Sequence, residues 1–280
     1  MDDIFNNPQL KNLVKLAIEE DIGKGDITSE PLFDKKDFAN AFIISKEKGV
    51  FCGNEVMKLV YSLLDKKVKI NPEVQDGDMV DKGNKLVTLN GPTLSILAGE
   101  RITLNFLQRM SGIATKTMRL VSILKDTDIK ILDTRKTLPG FRMLDKYSVK
   151  MGGGENHRMG LFDMVMIKDN HIKKAGTIAD AVKTIRSKYG DKFKIEVETT
   201  NIEEVLEAVE SKAHIIMLDN MDRKKMEESI SLINGRAQIE VSGNIDEDKI
   251  IDISDLKIDF ISIGALTHSV RAFDLSMKFD

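Results

Sequence analysis

The sequence lacks the features that would place it in a membrane or in an oxidising compartment. It contains a single cysteine, Cys52, among 280 residues, so no disulfide can form within the chain. No apolar run approaches the roughly 20 residues that a membrane-spanning helix needs. The start, Met1-Asp2-Asp3, has neither the basic nor the apolar segment of a signal peptide. We therefore expect a cytoplasmic protein in a reducing environment.

An excess of charge of one sign is also missing. The chain has 42 Lys and Arg residues against 45 Asp and Glu residues, which gives a formal net charge of -3. Because both signs are mixed along the chain, there is no electrostatic reason to expect binding to nucleic acid or to a membrane surface. Small anions remain possible ligands where basic residues converge. The length suits one barrel-sized domain plus a smaller one.

From about residue 126 onward, the hydrophobic pattern is typical of successive βα units around a parallel sheet. Six short apolar runs predict strands at 129–134, 164–168, 194–198, 214–218, 238–241 and 260–263. Stretches with apolar residues at helical spacing predict helices at 177–188, 201–211, 222–233 and 246–253. Asn201 and Asp222 stand where helix N-caps are expected. Continuous apolar runs such as 215–218 indicate strands that are buried on both faces.

The first part of the chain has a different pattern. An acidic helix is predicted at 9–21, short strands at 41–45, 68–70 and 85–89, and a long helix at 93–110. Glycines mark the turns between the strands. This pattern predicts an N-terminal α+β sandwich over residues 1–112, with a C-terminal tail, 269–280, that can pack back on it. Residues 113–268 would form the α/β-barrel domain.

The residues that follow the predicted barrel strands carry most of the chemistry. In a βα barrel the active site lies at the C-terminal ends of the strands. The first polar residues there are Asp133-Thr134-Arg135-Lys136, Lys168-Asp169-Asn170-His171, Glu198, Asp219-Asn220, Ser242-Gly243-Asn244 and the segment from Gly264 to His268. Singly, such residues are more often solvated ions or helix caps. Agreement among six strand ends predicts an anion site, with turns where backbone N–H groups can bind phosphate.

A segment between the first two of these strands has a recognisable pattern. Residues 133–158, DTRKTLPGFRMLDKYSVKMGGGENHR, closely resemble the signature of quinolinate phosphoribosyltransferases. Further matches are EDIGKGDIT (20–28), GERITLNFLQRMSGIAT (99–115), MIKDNH (166–171), IEVET (195–199), MLDN (217–220), VSGNI (241–245) and IGALTHS (263–269). The matches occur in order along nearly the whole chain, which makes the resemblance highly specific.

The resemblance implies a fold and an activity. The fold is that of a type II phosphoribosyltransferase: α/β, with an N-terminal α+β sandwich followed by an incomplete, seven-stranded α/β barrel. The family transfers the phosphoribosyl group of PRPP to quinolinate with decarboxylation, which gives nicotinate mononucleotide, pyrophosphate and carbon dioxide for NAD biosynthesis. It works as a homodimer or an assembly of dimers, and it uses Mg²⁺.

The resemblance also implies site residues for quinolinate. These are Arg135, His157, Arg158 and Lys168, with Arg101 supplied by the neighbouring subunit. The assignment makes chemical sense, because arginine forks bind carboxylates through two parallel hydrogen bonds. His157 could donate a proton or only orient the substrate, and the sequence leaves both roles open.

For PRPP the resemblance points to a second group of residues. Thr134 and Lys136 would contact the substrate, and Glu198 and Asp219 would serve the ribose hydroxyls and Mg²⁺. The 5-phosphate end would be held by Ser242, Gly243, Asn244, Gly264 and His268. Asn244 stands where family members usually have a small residue or glycine. Catalysis would depend on Lys136, His157, Lys168, Glu198 and Asp219.

Three other readings compete with this one. A paralogue associated with molybdenum transport would keep the fold, but the motifs around His157 and Lys168 supply quinolinate contacts and argue against it. A barrel aldolase would use Lys168 as a Schiff-base nucleophile. A non-catalytic binding or scaffold protein would have no need for so many charged residues around one rim.

Overall fold

The computed structural model describes residues 4–280, so Met1-Asp2-Asp3, on which the signal-peptide argument partly depends, lies outside it. The chain forms two compact units. The first contains the residues up to Met118 together with Thr137–Gly153 and Thr267–Asp280. The second contains Arg119–Lys136 and Gly154–Leu266. The domain boundary at residue 112 stays a prediction from the sequence.

An antiparallel sheet organises the first unit. Its strands are β1 (Phe38–Ser45), β3 (Lys69–Pro72), β5 (Lys85–Pro92) and β12 (Leu275–Phe279), in the order β12-β1-β5-β3. The register pairs Ala41 with Phe279 on one side of β1 and with Leu89 on the other. A second, two-stranded sheet joins β2 (Gly49–Val50) to β4 (Met79–Val80). The tail predicted to pack back therefore supplies an edge strand of the main sheet.

The helices of the first unit are α1 (Pro8–Ile22), α2 (Asn54–Leu64) and α4 (Arg142–Met151), and a 3-10 turn spans Ile4–Asn6. The Asn7 side chain caps α1, and Pro8 occupies its first turn, where a missing N–H costs nothing. Fully buried apolar side chains fill the core, among them Phe51, Val60 and Leu86. Burial of this kind drives the folding of the unit.

Helix α3 spans Thr93–Ile123, whereas the sequence predicted a helix only over residues 93–110. Ser111 and Gly112 do not break it. A side chain at Gly112 would place Cβ only 2.2 Å from the carbonyl oxygen of Arg271, so glycine permits a close backbone approach within the first unit. That packing role outweighs the low helix propensity of glycine, which is about 1 kcal/mol below that of alanine.

A parallel sheet organises the second unit. Its six strands are β6 (Lys130–Leu132), β7 (Val165–Ile167), β8 (Ile195–Thr199), β9 (Ile215–Asp219), β10 (Gln238–Ser242) and β11 (Phe260–Ser262). The order is β6-β11-β10-β9-β8-β7. All six predicted strands are confirmed to within two residues. An isolated parallel bridge between Leu132 and Glu155 adds one pair beside β6, where the seven-stranded prediction required a further strand.

Helices connect these strands. They are α5 (Asp169–Ala175), α6 (Ile178–Tyr189), α7 (Ile202–Glu210), α8 (Arg223–Ile233), α9 (Glu247–Ile253) and α10 (Ala265–His268). Asn201 and Asp222 are confirmed as N-caps, since their side chains accept hydrogen bonds from the N–H groups of Glu204 and Lys225. Among the described residues, no helix is both long enough and apolar enough to span a bilayer.

Candidate active site

Strand register brings the candidate residues of the second unit onto one face of its sheet. Side chains alternate along a strand, and paired residues of parallel strands share a face. Met166 pairs with Glu196, and Glu198 pairs with Met217. Met217 also pairs with Glu240, and Asp219 pairs with Ser242. We call the side chains at the strand ends, Lys168, Glu198, Asp219 and Ser242, the upper layer. The side chains two residues earlier along the same strands, Met166, Glu196, Met217 and Glu240, form the lower layer.

Two arginines lie close enough in this unit to affect each other. The pKa of Arg158 is lowered by burial and by the positive charge of Arg135, while Glu196 and Asp163 act in the opposite direction. Both arginine side chains are partly exposed. The guanidinium of Arg158 also donates to the carbonyl oxygen of Met164, at 3.2 Å. Two like charges held together at an open rim form a site that an anion stabilises.

Lys168 and Glu198 form an ion pair in the upper layer. The pair follows from the register, because each residue lies two positions beyond the paired Met166 and Glu196. Lys168 is the N-cap residue of helix α5, which the sequence did not predict, and its backbone N–H donates to Nδ1 of His171 at 3.0 Å. The Lys168 side chain is engaged in this ion pair and does not present a free amine to a carbonyl, which disfavours the Schiff-base aldolase.

Asp219 is held by a chain of two asparagines. The side-chain amide of Asn220 donates to Asp219 Oδ2 at 2.7 Å, and the amide of Asn244 donates to Asn220 Oδ1 at 3.1 Å. Both asparagines have left-handed backbones, with φ of 54° and 49°. Gly243 between them has φ of 96°, and a Cβ there would lie 2.3 Å from Asn220 Oδ1. The asparagine at 244 thus has a defined hydrogen-bond partner in this chain.

The remaining predicted residues are placed as follows. Thr134 Oγ1 accepts from the N–H of Lys136 at 3.1 Å, which shapes the turn after β6 and leaves Lys136 exposed. Gly264 follows β11 and precedes α10. Arg101 and His268 belong to the first unit, and both are exposed. Within residues 4–280 Arg101 forms no ion pair with Glu100 or any other acid, so the sequence-based alternative of a local pair is not realised.

His157 lies in a buried cluster with two carboxylates, which we call the histidine–carboxylate trio: His157, Glu196 and Glu240. Its Nε2 atom lies 3.0 Å from Glu196 Oε2 and 3.5 Å from Glu240 Oε2. The side chains are 6%, 0% and 1% exposed, respectively. Burial alone would lower the pKa of His157, but hydrogen bonds and charges from Glu196 and Glu240 raise it to about 10. The trio therefore retains protons at neutral pH.

Replacing Glu196 with Gln should change the pH dependence of folding stability. Burial and the charge of Glu240 raise the pKa of Glu196 from 4.5 to about 7. Between these values the unfolded carboxyl ionises while the folded one keeps its proton, so this carboxyl lowers wild-type stability as pH rises, and the Gln variant lacks that contribution. The variant should gain at most roughly 3 kcal/mol over this window. Urea unfolding at about pH 4.5 and about pH 8 measures it; a constant difference would contradict the raised pKa.

Two buried carboxylates, Glu196 and Glu240, were not predicted from the sequence, and the role of Asp133, which was named, was not foreseen. Glu196 and Glu240 each interrupt an apolar run, and this was the available signal, since a carboxylate within a strand buried on both faces needs a specific partner. Asp133, fully buried, accepts from the N–H of His157 at 3.0 Å and from the side chain of Asn156 at 2.6 Å. These contacts fix the turn that carries the predicted quinolinate ligands.

A groove of about 790 Å³ flanks β7 in the same unit. Its lining is mostly apolar and includes the exposed side chains of Leu161 and Phe162. Arg158 is the predicted quinolinate ligand that lines this groove, together with Asn170 and His171 from the segment after β7. Its apolar character does not suit a polyanion, so the strand ends remain the better candidate for the anion site.

The donors at the strand ends fit a magnesium ion that is shared with a substrate. Glu198 and Asp219 offer carboxylate oxygens on neighbouring strands, and Mg²⁺ commonly takes one or two carboxylates together with substrate phosphates. Among the described residues, three metal-ligating side chains come together in the histidine–carboxylate trio. The upper layer offers two carboxylates, so an ion bound there would take its other ligands from the phosphates of the substrate.

Comparison with known proteins matches both parts of the chain to one family. Residues 26–111 match the N-terminal domain of quinolinate phosphoribosyl transferase, and residues 113–278 match its C-terminal domain. A probable nicotinate-nucleotide pyrophosphorylase (carboxylating) of Bacillus subtilis is 43% identical over 273 residues, which are 98% of this chain and 94% of the relative. The chloroplastic nicotinate-nucleotide pyrophosphorylase (carboxylating) of Arabidopsis thaliana is 42% identical over 97% of this chain and 83% of its own.

Solved structures agree with the sequence relatives. NadC from Streptococcus pyogenes has a TM-score of 0.93 at 40% identity and covers 96% of this chain and 95% of its own. The nicotinate-nucleotide pyrophosphorylase of Francisella tularensis has a TM-score of 0.93 at 40% identity, with full coverage of both chains. These likenesses confirm the predicted α/β fold with a β-rich N-terminal part, and the chain belongs to the quinolinate phosphoribosyltransferase family.

Proposed function

We propose that this enzyme transfers the phosphoribosyl group of PRPP to quinolinate and releases pyrophosphate and carbon dioxide, with nicotinate mononucleotide as the product. Family membership supports the reaction. In this chain it is supported by the charge interaction of Arg135 with Arg158, and by the Lys168–Glu198 ion pair at the end of a parallel strand, next to the strand that ends at Asp219. Cations for a dicarboxylate and carboxylates for a ribose diol would then act in one site.

The chemistry has two steps. The pyridine nitrogen of quinolinate attacks C1 of the ribose, and the bond from C1 to the pyrophosphate oxygen breaks, with its electron pair leaving on pyrophosphate. The ring carbon then loses its 2-carboxylate as carbon dioxide, and the electron pair left on that carbon takes a proton from water. The transition state of the first step has oxocarbenium character, which a carboxylate stabilises electrostatically.

The residues of the upper layer would divide this work. Arg135 and Arg158 would bind the two ring carboxylates, because a guanidinium binds a carboxylate through two parallel hydrogen bonds. Lys168 would leave Glu198 to contact quinolinate, and the freed carboxylate would face the ribose. Mg²⁺, when bound with PRPP, would offset the charge of the leaving pyrophosphate, aided by Lys136. Ser242, Gly243, Asn244, Gly264 and His268 would hold the 5-phosphate.

The proposal extends to the assembly. Arg101, exposed on α3 and without an ion pair in the described residues, would complete the site of a second subunit in a homodimer. A cytoplasmic location is supported by the one cysteine, Cys52, which is free and buried in the first unit.

The assay that tests this function compares two acids. With PRPP and Mg²⁺, purified enzyme should convert quinolinate to nicotinate mononucleotide and should discriminate against nicotinate by on the order of 10⁴-fold in kcat/KM, because one set of cations would lose its partner. Chromatography of the nucleotide product measures both rates, and omission of Mg²⁺ tests the metal. Comparable turnover of the two acids would show that the cations do not recognise a dicarboxylate.

A further inference from the structure

The lower layer of the sheet contains charged groups that the reaction as described does not use. Glu196 is the second residue of β8 and Glu240 the middle residue of β10, and both side chains are inaccessible to solvent. Within residues 4–280 none of their four carboxylate oxygens, and not Nε2 of His157 either, has a partner at hydrogen-bond geometry. Their close polar neighbour is Nε2 of His157. Burying two carboxylates beside one imidazole costs folding free energy. We therefore expect these residues to serve a function.

The second ring nitrogen of His157 is also engaged within the protein. The backbone N–H of Arg158 donates to Nδ1 at 2.7 Å. Thus Nε2 faces the carboxylates and Nδ1 faces the next peptide. A histidine that donates a proton to a substrate must present one of these atoms to it. In this geometry neither nitrogen is available for that purpose.

The ring instead fixes the turn that leads to Arg158. The backbone N–H of His157 donates to buried Asp133, and the side chain of Asn156 donates to the other oxygen of that carboxylate. The turn is therefore held at its backbone by Asp133, at the end of β6, and at the ring by Glu196 and Glu240. Such anchoring from several strands keeps a binding group within the narrow range of geometry that recognition requires.

We propose that Glu196 and Glu240 are positioning residues for the reaction: they hold the His157 ring from below, so that Arg158 presents its guanidinium to a carboxylate of quinolinate. In this arrangement the His157 ring has a structural role: it fixes the position of the turn, and it does not donate a proton to the substrate. The inference rests on the proposed function, since it concerns the site that binds quinolinate. It decides between the two roles that the sequence left open for His157.

Glu240 is the better residue to test, because it lies two strands away from β8, whereas Glu196 lies on the same strand as Glu198. Carboxylates that support metal-ligating histidines typically matter by about 10- to 100-fold, and we expect the same scale for this ring. Glu240→Ala should therefore raise KM for quinolinate by about 10-fold or more, while kcat changes by less than about threefold and KM for PRPP stays constant. Glu240→Gln should restore most of the loss, because its side chain has the same length and keeps an oxygen near Nε2, where the carboxylate oxygen lies at 3.5 Å.

Two further variants keep the test decisive. His157→Gln should raise KM for quinolinate as Glu240→Ala does, whereas loss of a general acid would lower kcat by about 10²-fold or more. Asp145→Asn is a matched control, because Asp145 is fully buried and pairs with Arg109 at 2.8 Å in the first unit. It should lower the thermal midpoint without a selective change in KM for quinolinate.

The experiments distinguish failure of the proposed function from failure of the positioning role. Wild-type enzyme that forms no nicotinate mononucleotide would refute the proposed function itself. With an active wild type, a fall in kcat at constant KM in Glu240→Ala and His157→Gln would overturn the positioning role and make His157 a proton donor. Failure of Glu240→Gln to restore KM would also overturn it, because charge and not orientation would then be the contribution of Glu240. If Glu240→Ala does not fold, Glu240→Gln and His157→Gln carry the same decision.

Discussion

Replacing Lys168 or Arg135 with Ala should reduce kcat/KM for quinolinate by about 10³-fold, the upper range for loss of one preorganised electrostatic group. Each substitution removes a cation that the bound dicarboxylate requires, so one carboxylate would be desolvated without a partner. Steady-state kinetics with quinolinate and PRPP measure the loss. Activity within tenfold of the wild type in either variant would remove that residue from the site.

Folding should be affected little by these changes. The side chain of Lys168 is 40% exposed and its partner Glu198 is 15% exposed, so their ion pair contributes at most about 1 kcal/mol. Lys173→Ala is the matched control: it lies on the same helix, α5, is 74% exposed, and forms a 3.5 Å pair with Asp169. It should keep full activity. A thermal midpoint that falls strongly for Lys168→Ala alone would indicate a structural role instead.

Mixing two inactive variants should restore activity if each site is shared between subunits. Arg101→Ala and Glu198→Ala homodimers should each be nearly inactive, for different reasons. In a heterodimer, one site receives both defects and the other receives none. Random re-association gives half heterodimers, so roughly a quarter of all sites should be intact, by the two-fold symmetry of a dimer.

The measurement needs evidence that subunits have exchanged. Native mass spectrometry of the mixture shows the heterodimer, and the same sample is then assayed with quinolinate and PRPP. A mixture of Arg101→Ala with Arg101→Ala/Glu198→Ala is the control, because none of its sites is intact. If exchange is complete and activity stays near zero, Arg101 acts within its own chain or has no catalytic function.

The second unit was largely predictable because burial on both faces leaves a strong signature in sequence. A run such as residues 215–218 admits few alternatives, and the polar residue that ends it, Asp219, marks the rim. Arg158 and Lys168 depended on family resemblance as well, since a lone cation at a strand end is ordinarily solvated. Alternation then determines which of these side chains share a face.

The full length of α3 and the histidine–carboxylate trio could not be predicted from the local sequence pattern. The long-range packing of Gly112 against Arg271 decides that α3 continues, and nothing near Gly112 in sequence reports this contact. The trio was missed because Glu196 and Glu240 lie 44 positions apart and each is a single polar residue in an apolar run. Their partnership with His157 exists only when strands β8 and β10 are aligned. Propensity and periodicity carry no information about such pairings.

The pairing of β12 with β1 has a consequence for the order of events during synthesis. Residues 275–279 leave the ribosome only after the whole second unit has been made, at about 5–20 residues per second. Until then β1 has an unpaired edge, whose free N–H and C=O groups are a template for other strands. The nascent chain therefore passes through an interval in which its first sheet is incomplete and prone to association. Slow translation beyond β11 would prolong that interval and increase demand for chaperones.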